Sequence, residues 1–339
     1  MANNNHKSKE LFPETNAFFR GLFTTTKPEP PKTVRELRRA ISASGLRHAD
    51  CVERSELEKR YNDAVVAARD APGKEGLEVE QTLVRAGAAT LEVIDGLRCL
   101  CVGAAAPELV VVLYHGYGAH GVEFAALAAL LCERLLPRRL QVVLPQCPSG
   151  ESWFELDVTK YLYAVTMGEA AKARVVRATP NGVPEMRTRQ RQFLQTLRRR
   201  AGVAPSQICL AGFSQGAMVA VDVALDAPER CAGVVALSGF VMCVEDWARK
   251  LQGQRGLRVL QLHGPRPGVS LFASRRQRGG RAATDAGLED RTIPYYTAPW
   301  LRDLLQTNGA RVTFLPQACG HECGPASASA ILAFLAGLF

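Results

Sequence analysis

From about residue 88 onward, short apolar runs alternate with longer segments whose apolar positions recur every three or four residues. Apolar runs bounded by turn residues predict strands, and the longer periodic segments predict helices. Strands are expected at 91–94, 99–102, 109–114, 140–144, 207–211, 233–237, 258–262 and 311–314. Helices are expected at 123–134, 190–199, 217–227, 299–307 and 326–338. The run Leu109 to Tyr114 is apolar at every position, the pattern of a strand covered on both faces. The first two strands read as a leading pair. The alternation after them specifies the α/β class, a doubly wound and mostly parallel sheet.

Upstream the pattern changes. Residues 1–32 are polar and close on Lys27-Pro28-Glu29-Pro30-Pro31-Lys32, a stiff stretch that cannot carry a helix. Residues 33–69 hold two short amphipathic segments. The first opens on Thr33, an N-cap with Glu36 three residues on, and stops at Gly45. The second opens near Glu53 and runs through Tyr61, Val65 and Val66. Three regions are therefore expected: a polar segment with a Pro-rich linker at 1–32, a helical hairpin at 33–69, and an α/β domain at 88–339.

Composition narrows the class. With 47% hydrophobic and 22% charged residues, the chain is neither disordered nor collagen-like. The most apolar stretch, Ala328 to Phe339, falls short of the roughly 18 residues a membrane span needs and reads as a buried terminal helix. The first residues mix Lys7, Glu10, Glu14 and Arg20 with Phe18 and Phe19 and contain no apolar core of a secretory signal, so a cytoplasmic location is expected. Ten cysteines fit that expectation, since Cys99, Cys101, Cys147 and Cys209 lie in or beside apolar runs, where a reduced thiol packs as a small hydrophobe. Cys319, His321 and Cys323 stand too close together for one tetrahedral site and no partner pair follows, so no metal is expected.

A net charge of +9 raises the question of nucleic acid. Much of the excess sits at Arg187, Arg189, Arg191 and Arg198 to Arg200, and again at Arg275 to Arg281. In the first stretch Met186, Phe193, Leu194 and Leu197 keep helical spacing, so the arginines read as the solvated face of a packed helix.

Candidate chemistry centres on Gly212-Phe213-Ser214-Gln215-Gly216, which follows an apolar strand and opens a helix. A chain of this glycine content holds such a pentapeptide by chance on the order of a tenth of the time, so the strand–turn–helix context carries the weight. A sharp turn there strains Ser214 and requires glycine on both sides, and the helix N-terminus favours negative charge at the hydroxyl. The strand 109–114 runs into His115-Gly116-Tyr117-Gly118, a loop suited to the second half of an oxyanion hole. One donor would be the N–H of Gln215 and the other that of Tyr117. His115 precedes Ser214, whereas this architecture runs serine, acid, histidine, so it reads as a structural loop histidine. The base expected after the last strand is His321; His263 ends the strand before the acid's loop.

These residues, with Val234-Val235-Ala236-Leu237-Ser238-Gly239 and Gly320-His321 in the same order, resemble the acyl-protein thioesterase, carboxylesterase and lysophospholipase group of α/β-hydrolases. Pro148 to Phe154, with Trp153, resembles that group's Trp-Phe element. The resemblance covers roughly residues 88–339. In the group the acid lies in an H-G-x-x-D-x-x-V-P stretch; here His263-Gly264 supplies the start and Asp290-Arg291-Thr292-Ile293-Pro294 the end, around a Gly- and Arg-rich insertion at 265–289. The resemblance thus implies Ser214 as nucleophile, His321 as base and Asp290 as the acid, with Asp285 the nearest rival and Asp246 a weaker one. It implies esters or thioesters of medium or long acyl chains, on a lysophospholipid or a protein cysteine, and no cofactor. Val34 to Arg38, Gly45-Leu46 and Cys51 to Leu57 resemble the SAP-like helix–loop–helix module of mesencephalic astrocyte-derived neurotrophic factors and some ubiquitin ligases, which implies a protein or nucleic-acid partner for residues 33–69. The alternative function is a non-catalytic binding protein on this scaffold, with the insertion disabling the triad and the hairpin and basic loops forming the contact surface.

Overall fold

The computed structural model describes residues 74–157, 161, 167–264, 293–317, 320–321, 323 and 325–339. The segment 1–32, the hairpin 33–69 and the insertion 265–289, with Asp285, lie outside the described residues, as do Asp290 and Cys319.

Eight strands form one sheet: β1 Thr90–Ile94, β2 Leu97–Gly103, β3 Leu109–Tyr114, β4 Leu140–Pro145, β5 Ile208–Phe213, β6 Gly233–Leu237, β7 Arg258–His263 and β8 Arg311–Pro316. Their order is β1-β2-β4-β3-β5-β6-β7-β8. β2 is antiparallel to both its neighbours, and every other adjacent pair is parallel. β3 and β6 are buried at every position, whereas the edge strand β8 is exposed or half-buried throughout, as expected when helices cover both faces of the sheet centre. Each expected strand is present.

The helices are α1 Lys74–Arg85, α2 Ala125–Arg134, α3 Glu169–Arg177, α4 Val183–Ala201, α5 Gln215–Asp226, α6 Val244–Leu251, α7 Ala298–Thr307 and α8 Pro325–Ala336. α1, α3 and α6 are additions to the expected set. α4 starts seven residues earlier than its pattern suggests, because Pro184 sits in the first turn, where its missing N–H costs nothing. α1 is tied down by Glu80, which is 2% exposed and accepts from Arg98 Nη2 on β2 at 2.5 Å. The same carboxylate lies 4.0 Å from His120 Nε2 at the start of a 3-10 turn over Gly121–Phe124. No helix among the described residues is long and apolar enough to cross a membrane.

Two features of the sheet position the site. Tyr114 on β3 pairs with Gly212 on β5, and Phe213 pairs with Leu237 on β6, so the carboxyl ends of three parallel strands stand level. The loops that leave them therefore meet. The second feature is α5, which is buried from Gln215 to Leu225 and carries one buried charge, Asp222. Arg187 of α4 grips that carboxylate with Nε at 2.7 Å and Nη2 at 2.6 Å, and Trp247 Nε1 of α6 adds a bond at 2.7 Å. Arg187 also lies 2.8 Å from Asp246, which Lys250 approaches at 2.9 Å and Arg249 bonds directly. Burial raises the Asp246 carboxyl, but the bonds from Lys250 and Arg249 and the charge of Arg187 outweigh it and hold it at about 2. Farther along α4, Arg191, Arg198 and Arg200 pair with Asp226, Glu229 and Glu92 at 3.5, 3.2 and 3.6 Å. Much of the arginine-rich face is thus committed to carboxylates of the same fold.

Removing one member of a buried ion pair leaves the other uncompensated. Asp222→Ala should therefore lower unfolding stability by about 3–5 kcal/mol in urea denaturation. A loss below ~1 kcal/mol would show that the Arg187–Asp222 bond is not what seats α5.

Candidate active site

Ser214 is the single residue between β5 and α5 and adopts φ 55°, ψ −118°. A non-glycine residue in such a conformation stores roughly 1–3 kcal/mol and persists only where its surroundings over-determine it. They do. Ser214 N donates to Leu237 O at 2.8 Å, and Ser214 O accepts from Ala217 N at 3.1 Å. The turn brings backbone onto backbone: a Cβ on Gly212 would lie 2.0 Å from Gly216 O, and one on Gly216 would lie 2.2 Å from Tyr114 O. Neither neighbour can swing away, so both positions require glycine. Ser214 is left half-buried at the N-terminus of a buried helix, where unpaired N–H groups and the helix dipole favour negative charge.

The loop after β3 adjoins this turn, since a Cβ on Gly116 would sit 3.4 Å from Ser214 Cβ. His115 is fully buried inside the loop. Its Nε2 accepts from Cys147 N at 3.1 Å, which makes Nδ1 the protonated nitrogen, and Nδ1 donates to Gly116 O at 2.8 Å. Burial pushes this imidazole down to about 4. Both ring nitrogens are occupied within the scaffold, the arrangement of a structural histidine. Tyr117 donates its hydroxyl to the Glu151 carboxylate, and Gly118 N donates to Glu151 O at 2.8 Å, which pins this loop to the one after β4.

Gln215 has a role its position in the pentapeptide does not announce. Its side chain is fully buried; Oε1 accepts from Trp153 N at 3.1 Å and Nε2 donates to Phe154 O at 2.8 Å. Trp153 Nε1 in turn donates to His115 O at 2.9 Å.

His321 lies against the same turn, its ring 4.7 Å from that of Phe213 and tilted 45°. β8 is three strands from β5, about 14 Å at ~4.8 Å per strand, yet His321, five residues past the end of β8, reaches the turn at the end of β5. His263, the last residue of β7, is buried and donates from Nε2 to Ile293 O at 2.7 Å. Ile293 is thereby fastened to the end of β7. The structure thus gathers Ser214, Gln215, Gly116-Tyr117 and His321 around the ends of β3 and β5. Asp246 belongs instead to the ionic cluster on α6.

A mostly parallel eight-stranded sheet in this order, flanked by helices and carrying a serine on a strained strand-to-helix turn, is an α/β-hydrolase fold. The chain belongs to the phospholipase/carboxylesterase family, whose profile matches residues 101–270, a stretch that includes Ser214 and both adjoining loops. Among solved structures it is similar to the esterase PE8, with 23% identity over 72% of this chain and 99% of that one, at a TM-score of 0.53. It is similar to a carboxylesterase from Mesorhizobium loti, with 16% identity over 74% of this chain and 99% of that one, at a TM-score of 0.51. It is also similar to a single-residue variant of Arabidopsis thaliana SOBER1, with 16% identity over 68% of this chain and 98% of that one, at a TM-score of 0.50. At these identities the likeness is one of fold.

The state of His115 gives a pH test. An unfolded chain protonates this ring near 6.5, whereas the native loop admits the proton only near 4. Stability contributed by the neutral ring is complete above pH 6.5 and is lost as pH falls toward 4, because the unfolded state alone takes up the proton there. His115→Gln should flatten the stability–pH slope in that window by about one proton; an unchanged slope contradicts the buried neutral imidazole.

Proposed function

We propose that the protein is a serine esterase or thioesterase that cleaves carboxylic esters or thioesters through an acyl-Ser214 intermediate. The observation that carries this reading is the turn at Ser214, strained, closed on both sides by glycine contacts and aimed from a helix N-terminus. Ser214 Oγ attacks the acyl carbon while His321 takes its proton, then returns it to the departing alkoxide or thiolate. Water next attacks the acyl-enzyme with His321 again as base. Asp290 orients the imidazole, and the N–H groups of Gln215 and Tyr117 receive the oxyanion. What supports His321 is its ring on Phe213. What supports Asp290 over Asp285 is the tether at Ile293 O: three residues of chain reach at most about 10 Å from the end of β7, and Asp285 is five residues more remote.

The acyl group, by the resemblance noted above, is of medium or long chain on a lysophospholipid or a protein cysteine, and the chemistry uses no cofactor. The same reading assigns 1–32 to a linker, 33–69 to a SAP-like hairpin for a protein or nucleic-acid partner, and 88–339 to the hydrolase, with α1 as its N-terminal extension. The cytoplasmic setting rests on the placement of Cys99, Cys101, Cys147 and Cys209 inside the fold, where a thiol packs as a small hydrophobe; burial pushes the thiols of Cys101 and Cys132 up to about 12.

Ser214→Ala, folded by circular dichroism, should lose at least ~10³-fold in hydrolysis of p-nitrophenyl esters. Retention of most of the activity sinks the assignment. For the acid, Asp290→Asn should lower kcat by up to ~10⁴-fold with little change in KM, while Asp285→Asn stays near wild type. The opposite ordering would move the acid to Asp285.

A further inference from the structure

His115, Trp153 and Gln215 take no part in the proton transfers proposed above, yet their side chains are 0%, 6% and 0% exposed and every polar atom they carry is bonded within the loops around Ser214. We propose that these three side chains form a positioning relay that sets the separation and direction of the two N–H groups at Ser214, those of Gln215 and Tyr117. The inference rests on the reading of Ser214 as nucleophile.

The relay begins at the first residue of α5. The Gln215 amide holds Trp153 N and Phe154 O at once, in opposite senses, so its plane and the segment it grips are fixed together. Trp153 is further located by its ring, which meets Tyr114 edge-on at 5.1 Å and His115 at 5.0 Å. From there Nε1 holds the His115 carbonyl. The imidazole, with its tautomer set by Cys147 N, holds Gly116 O from Nδ1, and Ala119 N reaches the same oxygen at 3.3 Å. Gly116 C=O and Tyr117 N–H belong to one planar trans peptide, so anchoring the carbonyl directs the N–H to the opposite side.

Such a device answers a geometric need. The two donors leave different strands, β3 and β5; their pairing brings the two loops side by side but does not fix the direction of either N–H. An oxyanion donor acts only within about 2.7–3.1 Å of the developing charge, and a misplacement of about 1 Å can cost ~10²-fold. Side chains in the relay touch no substrate and are positioning residues.

The test uses the full chain, Trp153→Phe, which removes the bond to His115 O and keeps a ring, and Gln215→Met, which removes the amide and keeps the length. Sites are counted by saturating fluorophosphonate labelling. Steady-state hydrolysis of a p-nitrophenyl ester is compared with inhibition by an aryl trifluoromethyl ketone, which adds Ser214 Oγ to its carbonyl carbon, passes the serine proton to His321 and leaves a hemiketal oxyanion. The expected result is a fall in kcat per labelled site of about 10–100-fold with KM within about twofold. The ketone's Ki should rise by the same factor, while that of the corresponding secondary alcohol stays put. Fewer labelled sites with unchanged kcat per site and unchanged ketone Ki would mean a purely structural role and overturn the proposal. So would an effect confined to KM. A wild-type chain that neither hydrolyses esters nor takes the label overturns the nucleophile reading and the relay with it; a labelled wild type matched by both variants overturns the relay alone.

Discussion

The turn into α5 passes so close to the end of β3 that a methyl group on Gly216 would overlap the Tyr114 carbonyl oxygen at 2.2 Å. That backbone contact is the constraint on which the rest depends. It allows Ser214 to leave β5 and enter the helix with no intervening residue, in a conformation a serine does not adopt unforced. It also sets the β3 loop directly beside Ser214, so that two segments remote in sequence share one site. A register shift of one residue in the β3–β5 pairing of Tyr114 with Gly212 would separate them.

Burial then dictates the polar chemistry around the turn. α5 has almost no solvent-facing side, so its buried acid, Asp222, must find donors on the neighbouring helices and does so in Arg187 and Trp247. At its other end Gln215 and His115 are sealed as completely, and their polar atoms are satisfied by the loops they organise. The helix that would stabilise charge at Ser214 is thus held by an ion pair at its second turn and by an amide clamp at its first residue. Rigidity at the site comes from these groups, because the loops they hold have no ladder of their own.

The central strands were the most legible part of the chain, and for a physical reason: a strand buried on both faces has no polar positions to blur its limits, and 233–237 was expected and found residue for residue. Helices with thin apolar faces were not legible. α6 buries only Trp247 and Leu251, and α1 conceals a buried charge, Glu80, where a periodic pattern calls for an apolar residue. Ser214 stood out because its two glycines are local consequences of a tight turn. The amide of Gln215 did not, because its partners at 153 and 154 come from another loop and nothing in the local pattern points to them. The expected acid, Asp290, lies outside the described residues.

The central claim is that the strained turn presents Ser214 as a nucleophile. Its most direct test is to treat the full chain with a fluorophosphonate and map the modified residue by peptide mass spectrometry. Attack by an activated Ser214 Oγ on phosphorus, with loss of fluoride, predicts a stoichiometric phosphonyl adduct on the peptide carrying Gly212 to Gly216 and nowhere else. An unlabelled protein, or an adduct on a different residue, would contradict the account.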